Sequence, residues 1–246
     1  MRHLLLTLLL VFHLSAFSQD DENKAPWSVT EVHRDVPIVK PSLDHTAPSD
    51  AIVLFDGSNT KEWSKAEDGS AIGWNVEGND LVVVGGSGSI KTKKSFADVQ
   101  LHIEWNAPEM KGKEGQAYSN SGVFFMGMYE VQVLNSHGNQ TYANGQASSV
   151  YKQHIPLVNA SLPPGSWQSY DIIFMAPRFS EKGTLISPAR VTVLHNGILT
   201  QNNVELLGPT RYIGVPSYEA HAEKLPLMLQ DHGDPVRFRN IWIREL

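Results

Sequence analysis

The sequence predicts an all-β chain, folded as a large antiparallel sandwich or barrel. Three observations carry that expectation. Short apolar runs recur from Ala51 to Leu246. Turn residues separate them: Asp56-Gly57, Glu77-Gly78-Asn79, the tract Gly85-Gly86-Ser87-Gly88 and Asn196-Gly197. No stretch longer than about ten residues keeps a 3.6-residue apolar period. Strands at this spacing over this length suit a sandwich or barrel.

Taken in order, the expected strands are 51–55, 80–84, 99–105, 122–126, 129–134, 167–175, 189–195, 197–201 and 236–244. Asn196-Gly197 between two apolar runs predicts a two-residue hairpin, because both positions of that turn need positive φ. The final strand changes parity: Val236 and Phe238 share one face, Ile241 and Ile243 the other. One extra residue at Arg239-Asn240, a β-bulge, would repair the pattern and re-aim both side chains.

Two segments precede these strands. Residues 1–18 combine Arg2, a short apolar run from Leu4 to Leu14, and the small residues Ala16 and Ser18 before Gln19. That is the pattern of a secretory signal peptide, and the apolar run is too short to span a membrane. No cysteine follows it for a lipid anchor, so the expected product is secreted or periplasmic. Residues 19–50 are polar and interrupted by Pro26, Pro37, Pro41 and Pro48, which predicts a leader without a regular element. The globular domain is expected over 51–246. No later apolar run approaches the length of a membrane span.

Composition removes several function classes. The 246 residues include 20 Lys and Arg against 26 Asp and Glu, a formal charge of −6, with no basic block. Nucleic acid is therefore not an expected partner, since phosphate binding needs clustered cations. With no cysteine, there is no thiolate nucleophile, disulfide framework or Cys-type zinc site. No phosphate loop, Gly-x-Ser-x-Gly elbow, His-Glu-x-x-His or dinucleotide fingerprint occurs. His102, His137, His154, His195, His221 and His232 show no metal-ligand spacing. Neither a metal nor a cofactor is expected.

Alternation then points to polar faces. In 99–105, Leu101, Ile103 and Trp105 share one side, His102 and Glu104 the other. In 129–134, Val131 and Val133 oppose Glu130 and Gln132. Mid-strand Glu and Gln are poor strand formers, so they read either as a solvated outer face or as the lining of a polar concave sheet. The loop Leu229-Gln230-Asp231-His232-Gly233-Asp234-Pro235 gathers an amide, carboxylates and an imidazole beside turn residues. Asn120-Ser121-Gly122 enters an apolar strand, where glycine allows close approach.

These segments, in this order, resemble the 3-keto-disaccharide hydrolase domain family. The carriers are Leu54-Phe55-Asp56-Gly57 with Trp63, Gly73-Trp74-Asn75-Val76, the run from Phe96 to Trp105, Asn120-Ser121-Gly122-Val123-Phe124-Phe125, Tyr129-Glu130-Val131-Gln132-Val133-Leu134, Leu229-Gln230-Asp231-His232-Gly233 and Arg239-Asn240-Ile241-Trp242. The resemblance implies a jelly-roll sandwich of the concanavalin A-like lectin/glucanase type, with sugar on its concave sheet. One departure is Asn135-Ser136, where the family commonly has Asp-Ser.

The resemblance also implies a substrate: a glycoside oxidised to a ketone at carbon 3. The ketone acidifies the hydrogen on carbon 2, a base removes it, and the enolate expels the group on carbon 1. Water can add afterwards. A separate sugar 3-dehydrogenase would have to supply the ketone. Such chemistry needs a base, an enolate stabiliser and an acid. The expected catalytic residues are Glu104 or Glu130 as base and His232 as acid or second base. Arg239 and Gln230 are expected on the ketone or enolate oxygen, and Asn120 and Gln132 on hydroxyls. Asp231 is expected with them, and Trp63 or Trp242 would stack on the sugar. Two alternatives remain at this point. One is a glycosidase using Glu104 and Glu130 as a carboxylate pair on an unoxidised glycan. The other is a noncatalytic carbohydrate-binding module.

Overall fold

A computed structural model describes residues 30–32, 34–41 and 46–246. The expected signal peptide and half of the leader (19–29, 33 and 42–45) lie outside them. The chain divides between Ile38 and Val39 into two units. In the described part of the first unit there is no strand, and Val32, Val36 and Ile38 are exposed.

The second unit is all-β, with no α-helix among its described residues. Its strands are β1 (Ile52–Phe55), β2 (Trp63–Lys65), β3 (Asn75–Glu77), β4 (Asp80–Val82), β5 (Ile90–Phe96), β6 (Val99–Asn106), β7 (Ser121–Phe125), β8 (Tyr129–Val133), β9 (Trp167–Met175), β10 (Arg178–Phe179), β11 (Leu185–Ser187), β12 (Arg190–His195), β13 (Ile198–Glu205), β14 (Leu225–Leu229) and β15 (Arg237–Glu245). One sheet runs β13-β12-β9-β6-β15-β4-β3, with β1 also on β15; a second runs β2-β5-β14-β7-β8. All pairings between these strands are antiparallel. The expected antiparallel jelly-roll sandwich is what forms.

The core lies between the two sheets. Leu101, Ile103 and Trp105 of β6 join Tyr170, Ile172 and Phe174 of β9 on the inner face of the larger sheet. Val123 and Phe125 of β7 meet them with Tyr129, Val131 and Val133 of β8. Phe125 stacks on Phe174 with centroids 4.6 Å apart, and the Tyr170 hydroxyl donates to Gln132 O at 2.8 Å. Burial of these aromatic and branched side chains is the main stabilising term.

Both local irregularities read from the sequence are present. Asn196 and Gly197 hold φ of 53° and 76°, closing β12 and β13 as a two-residue hairpin. On β15, Arg239 pairs with Glu104 and Trp242 with His102, so three steps oppose two on β6. Asn240, at φ 47°, is the extra residue. Strands β5 and β14 were not expected. Lys91, Lys93 and Lys94 disguise β5, and Pro226 disguises β14. Pro226 sits where the β14–β5 register shifts, a place where a missing N–H is tolerated.

Candidate functional site

Because β7 and β8 turn one face to the core, their alternate residues form the outer face of the smaller sheet. Glu130 stands opposite Phe124, and Gln132 opposite Gly122. Gly122 makes room on that face: a Cβ there would lie 2.7 Å from Glu130 Oε1 and 2.7 Å from Phe124 Cε2. The missing side chain is the space into which the Glu130 carboxyl folds.

Two loops wall this face. The segment after Gln146 runs along β8, with Gln132 N–H donating to Ser149 O at 3.0 Å and Tyr151 N–H to Glu130 O at 3.3 Å. The second loop is pinned at Thr210, whose N–H donates to Met128 O (2.8 Å) and whose Oγ1 accepts from Glu130 N–H (3.0 Å). Across β7, Gln230 N–H donates to Gly122 O (3.0 Å), and Ser121 Oγ donates to Gln230 O (2.7 Å). The result is a pocket of about 270 Å³ lined by Asn120, Phe124, Glu130, Gln132, Tyr151, Thr210, Tyr212, Gln230 and His232.

Among the described residues, Glu130 is the one carboxylate in that lining. It is 5% exposed, and burial pushes its carboxyl up to about 8. Gln132 lies beside it. With its amide turned over, the Gln132 nitrogen stands 3.1 Å from Glu130 Oε1 and 2.9 Å from Ser121 O. Gln230 lines the pocket, and its Oε1 is buried with no partner among the described residues. Asn120 is buried, its N–H donating to Asp234 Oδ2 (2.8 Å) and its amide nitrogen to Gln116 O (2.8 Å). His232 is exposed at the mouth.

Of the residues expected to form the site, the structure brings together Asn120, Glu130, Gln132, Gln230 and His232. It places the others elsewhere. Glu104 points from β6 to the outer face of the larger sheet, with the whole core between it and Glu130. There Glu104 accepts from Arg239 Nε (2.7 Å) and Asn240 Nδ2 (2.8 Å). His102 Nδ1 bonds Asp171 Oδ1 at 2.7 Å, and its Nε2 is 3.8 Å from Glu104 Oε1. Burial works against a charged His102, but Asp171 and Glu104 outweigh it and hold the imidazole up at about 9. His102 in turn, with Asn240 and Arg239 and against burial, holds Glu104 down at about 2. Arg239 also lies over the Trp167 ring at 4.0 Å.

Neither expected tryptophan reaches the pocket. Trp63 is a core residue, 2% exposed, its indole N–H donating to Leu54 O at 2.9 Å. Trp242 stacks on His102 with centroids 5.2 Å apart, on the face that carries Glu104. Asp231 builds the loop: its carboxylate accepts from Gly88 N–H and Gly233 N–H, both at 2.9 Å. Asn135, where the family commonly has Asp, is 1% exposed, and neither amide atom has a partner among the described residues.

Phe124, Tyr151, Thr210 and Tyr212 are lining residues that sequence patterning did not single out. Phe124 shares the parity of Gly122, so alternation could have found it. The other three lie in irregular loops with no period to read. Among the described residues, no group of three or more His, Asp or Glu side chains is spaced to hold a metal ion. No helix there is long and apolar enough to cross a membrane.

A family model described as a 3-keto-alpha-glucoside-1,2-lyase-like domain matches residues 50–244. Three crystal structures of candidate glycosyl hydrolases from Parabacteroides distasonis ATCC 8503 are similar. The first is 46% identical, covering 89% of this chain and 96% of its own, with TM-score 0.83. The second is 20% identical over 80% and 94% (TM-score 0.58), and the third 19% identical over 80% and 99% (TM-score 0.52). These last two share the fold. No curated protein matches the chain.

Proposed function

The chain belongs to the 3-keto-alpha-glucoside-1,2-lyase-like domain family, and on that premise we propose that it cleaves 3-keto-glycosides by removing the proton on carbon 2. At the coarser level it is a glycosyl hydrolase-like, carbohydrate-active protein. One observation supports the finer reading: the pocket offers a single buried carboxylate, Glu130, among amides, hydroxyls and an imidazole. A glycosidase of the ordinary kind needs two carboxylates flanking one bond. Glu104, the expected second, faces the other way.

In this reading Glu130 is the base. Burial makes its carboxylate an unusually strong base once ionised, matched to a carbon acid that a ketone has activated. Neutral donors suit the enolate that forms, and the Gln230 and Asn120 amides are the candidates. Gln132 orients Glu130 or a sugar hydroxyl. Expulsion of the group on carbon 1 leaves a carbon 1–carbon 2 double bond conjugated to the ketone. His232, across β7 from Glu130, then serves as second base for the water that adds. The ketone itself comes from a separate sugar 3-dehydrogenase. Residues 1–18 would send the protein to the periplasm or outside the cell.

The test is a paired assay of the purified protein on a glycoside and its 3-keto derivative, with products followed by mass spectrometry. Cleavage of the keto form alone is expected, and a product lighter by one water would identify elimination as the released step. Cleavage of the plain glycoside would return the case to a two-carboxylate glycosidase. Binding without cleavage in either arm would favour a carbohydrate-binding module.

A further inference from the structure

We infer that Tyr151 is the proton donor to the leaving oxygen, with Tyr142 relaying its proton from solvent; this rests on the proposed elimination. In a β-glycoside the axial hydrogen on carbon 2 and the equatorial oxygen on carbon 1 are gauche on adjacent atoms, so a base and an acid that serve them stand side by side. Glu130 and Tyr151 do. Val150 bridges Val131 and both are buried in the core. Their neighbours Tyr151 and Glu130 therefore turn to the same outer face, about 5 Å apart at the backbone as neighbouring strands are. Both line the pocket. His232 approaches from the far side of β7.

The Tyr151 hydroxyl is already committed to one partner, the Tyr142 hydroxyl at 2.5 Å. Tyr142 is 36% exposed, so the pair connects the pocket to solvent. Lys152 Nζ sits 4.0 Å over the Tyr142 ring and 5.3 Å over that of Tyr212, fixing the relay at the pocket wall. Burial, the Tyr142 bond and nearby charges including Glu130 push the Tyr151 hydroxyl above the usual tyrosine range. It therefore holds its proton at neutral pH until a developing alkoxide asks for it.

The balance is complete. Glu130 takes the proton from carbon 2, and that electron pair forms the enolate. The enolate expels the carbon 1 oxygen, which takes the Tyr151 proton and leaves as an alcohol. Tyr142 gives its proton to Tyr151 and recovers one from water, while Glu130 releases its own.

The experiment compares wild type, Tyr151→Phe, Tyr142→Phe and His232→Asn on two 3-keto β-glycosides of one sugar. One carries a 4-nitrophenyl group, which leaves without a proton; the other carries methyl, which needs one. Exchange of the carbon 2 hydrogen with heavy water is followed alongside. Tyr151→Phe should lose about 10²–10⁴-fold on the methyl substrate and less than about tenfold on the nitrophenyl one, while still exchanging carbon 2. Tyr142→Phe should show a smaller loss with the same selectivity. Equal loss on both substrates, no loss on either, or exchange lost with cleavage would overturn the assignment. So would a selective loss appearing in His232→Asn instead. A wild-type protein that neither exchanges nor cleaves either keto substrate would overturn the function itself, and this assignment with it.

Discussion

The Glu130 carboxyl occupies the space that Gly122 leaves empty: a Cβ on Gly122 would stand 2.7 Å from Glu130 Oε1. The glycine has an ordinary strand φ, so it is there for room and not for backbone freedom. A base positioned this way is sensitive to a single methyl group.

Gly122→Ala should therefore separate activity from stability. The atoms a methyl would meet are the ends of rotatable side chains, and alanine is otherwise favoured over glycine in a strand by about 0.5–1 kcal/mol. The fold should persist while turnover drops by about 10²-fold, the scale of a 1 Å misplacement. Thermal melts and kcat on a verified substrate would check this; an undiminished kcat would show that Glu130 is not the positioned base.

Glu130 also sets a pH dependence. Its carboxyl is raised to about 8, and the base must be ionised, so kcat/KM should climb through neutrality and level off above about pH 8. Glu130→Gln should abolish the activity by orders of magnitude. Stability runs the other way. Between about 4.5 and about 8 the unfolded chain releases the Glu130 proton while the folded chain keeps it, so folding weakens as pH rises. Glu130→Gln should gain on wild type across that window, by more than about 1 kcal/mol at pH 8 in denaturant titrations.

The His102 network on the opposite face should behave as structure. His102 is raised to about 9, so its contribution is whole below about 6.5 and is lost as pH rises through about 9. Glu104 is held near 2, so its share is whole above about 4.5 and is lost as pH falls through about 2. Full strength lies between about 4.5 and 6.5. His102→Gln should cost about 1–3 kcal/mol there, with the deficit shrinking toward pH 9 and kcat within a few-fold of wild type. A large fall in kcat with intact folding would place the site on this face instead.

Trp63→Ala should act through the core alone. Trp63 is 2% exposed with a satisfied indole N–H, and removing such a side chain costs about 3–5 kcal/mol. KM measured well below the lowered melting temperature should not move; a rise of tenfold or more would make it a sugar platform after all.

Much of this arrangement is legible in the sequence. Alternation in 99–105 and 129–134 correctly puts His102, Glu104, Glu130 and Gln132 on outer faces, and the parity change at Arg239-Asn240 locates the bulge. Alternation gives the face of a strand, not the sheet to which the strand belongs. That is why Glu104 and Glu130, read as neighbours, stand on opposite sides of the sandwich. Trp63 resembles a sugar platform because an aromatic residue in a motif carries no sign of its burial. Tyr151 and Tyr212 are invisible because backbone hydrogen bonds along the β8 edge place their loops, and such bonds leave no side-chain pattern.

The most direct test tracks one atom. A 3-keto glycoside carrying deuterium on carbon 2 is given to the wild-type protein in ordinary water, and the released sugar is weighed against unreacted substrate recovered from the same tube. Removal of that hydrogen by Glu130 requires the deuterium to be absent from the product while the recovered substrate retains more of it, and Glu130→Gln to release no sugar. A product that keeps its deuterium would mean the bond on carbon 1 breaks without touching carbon 2, and would contradict the central claim.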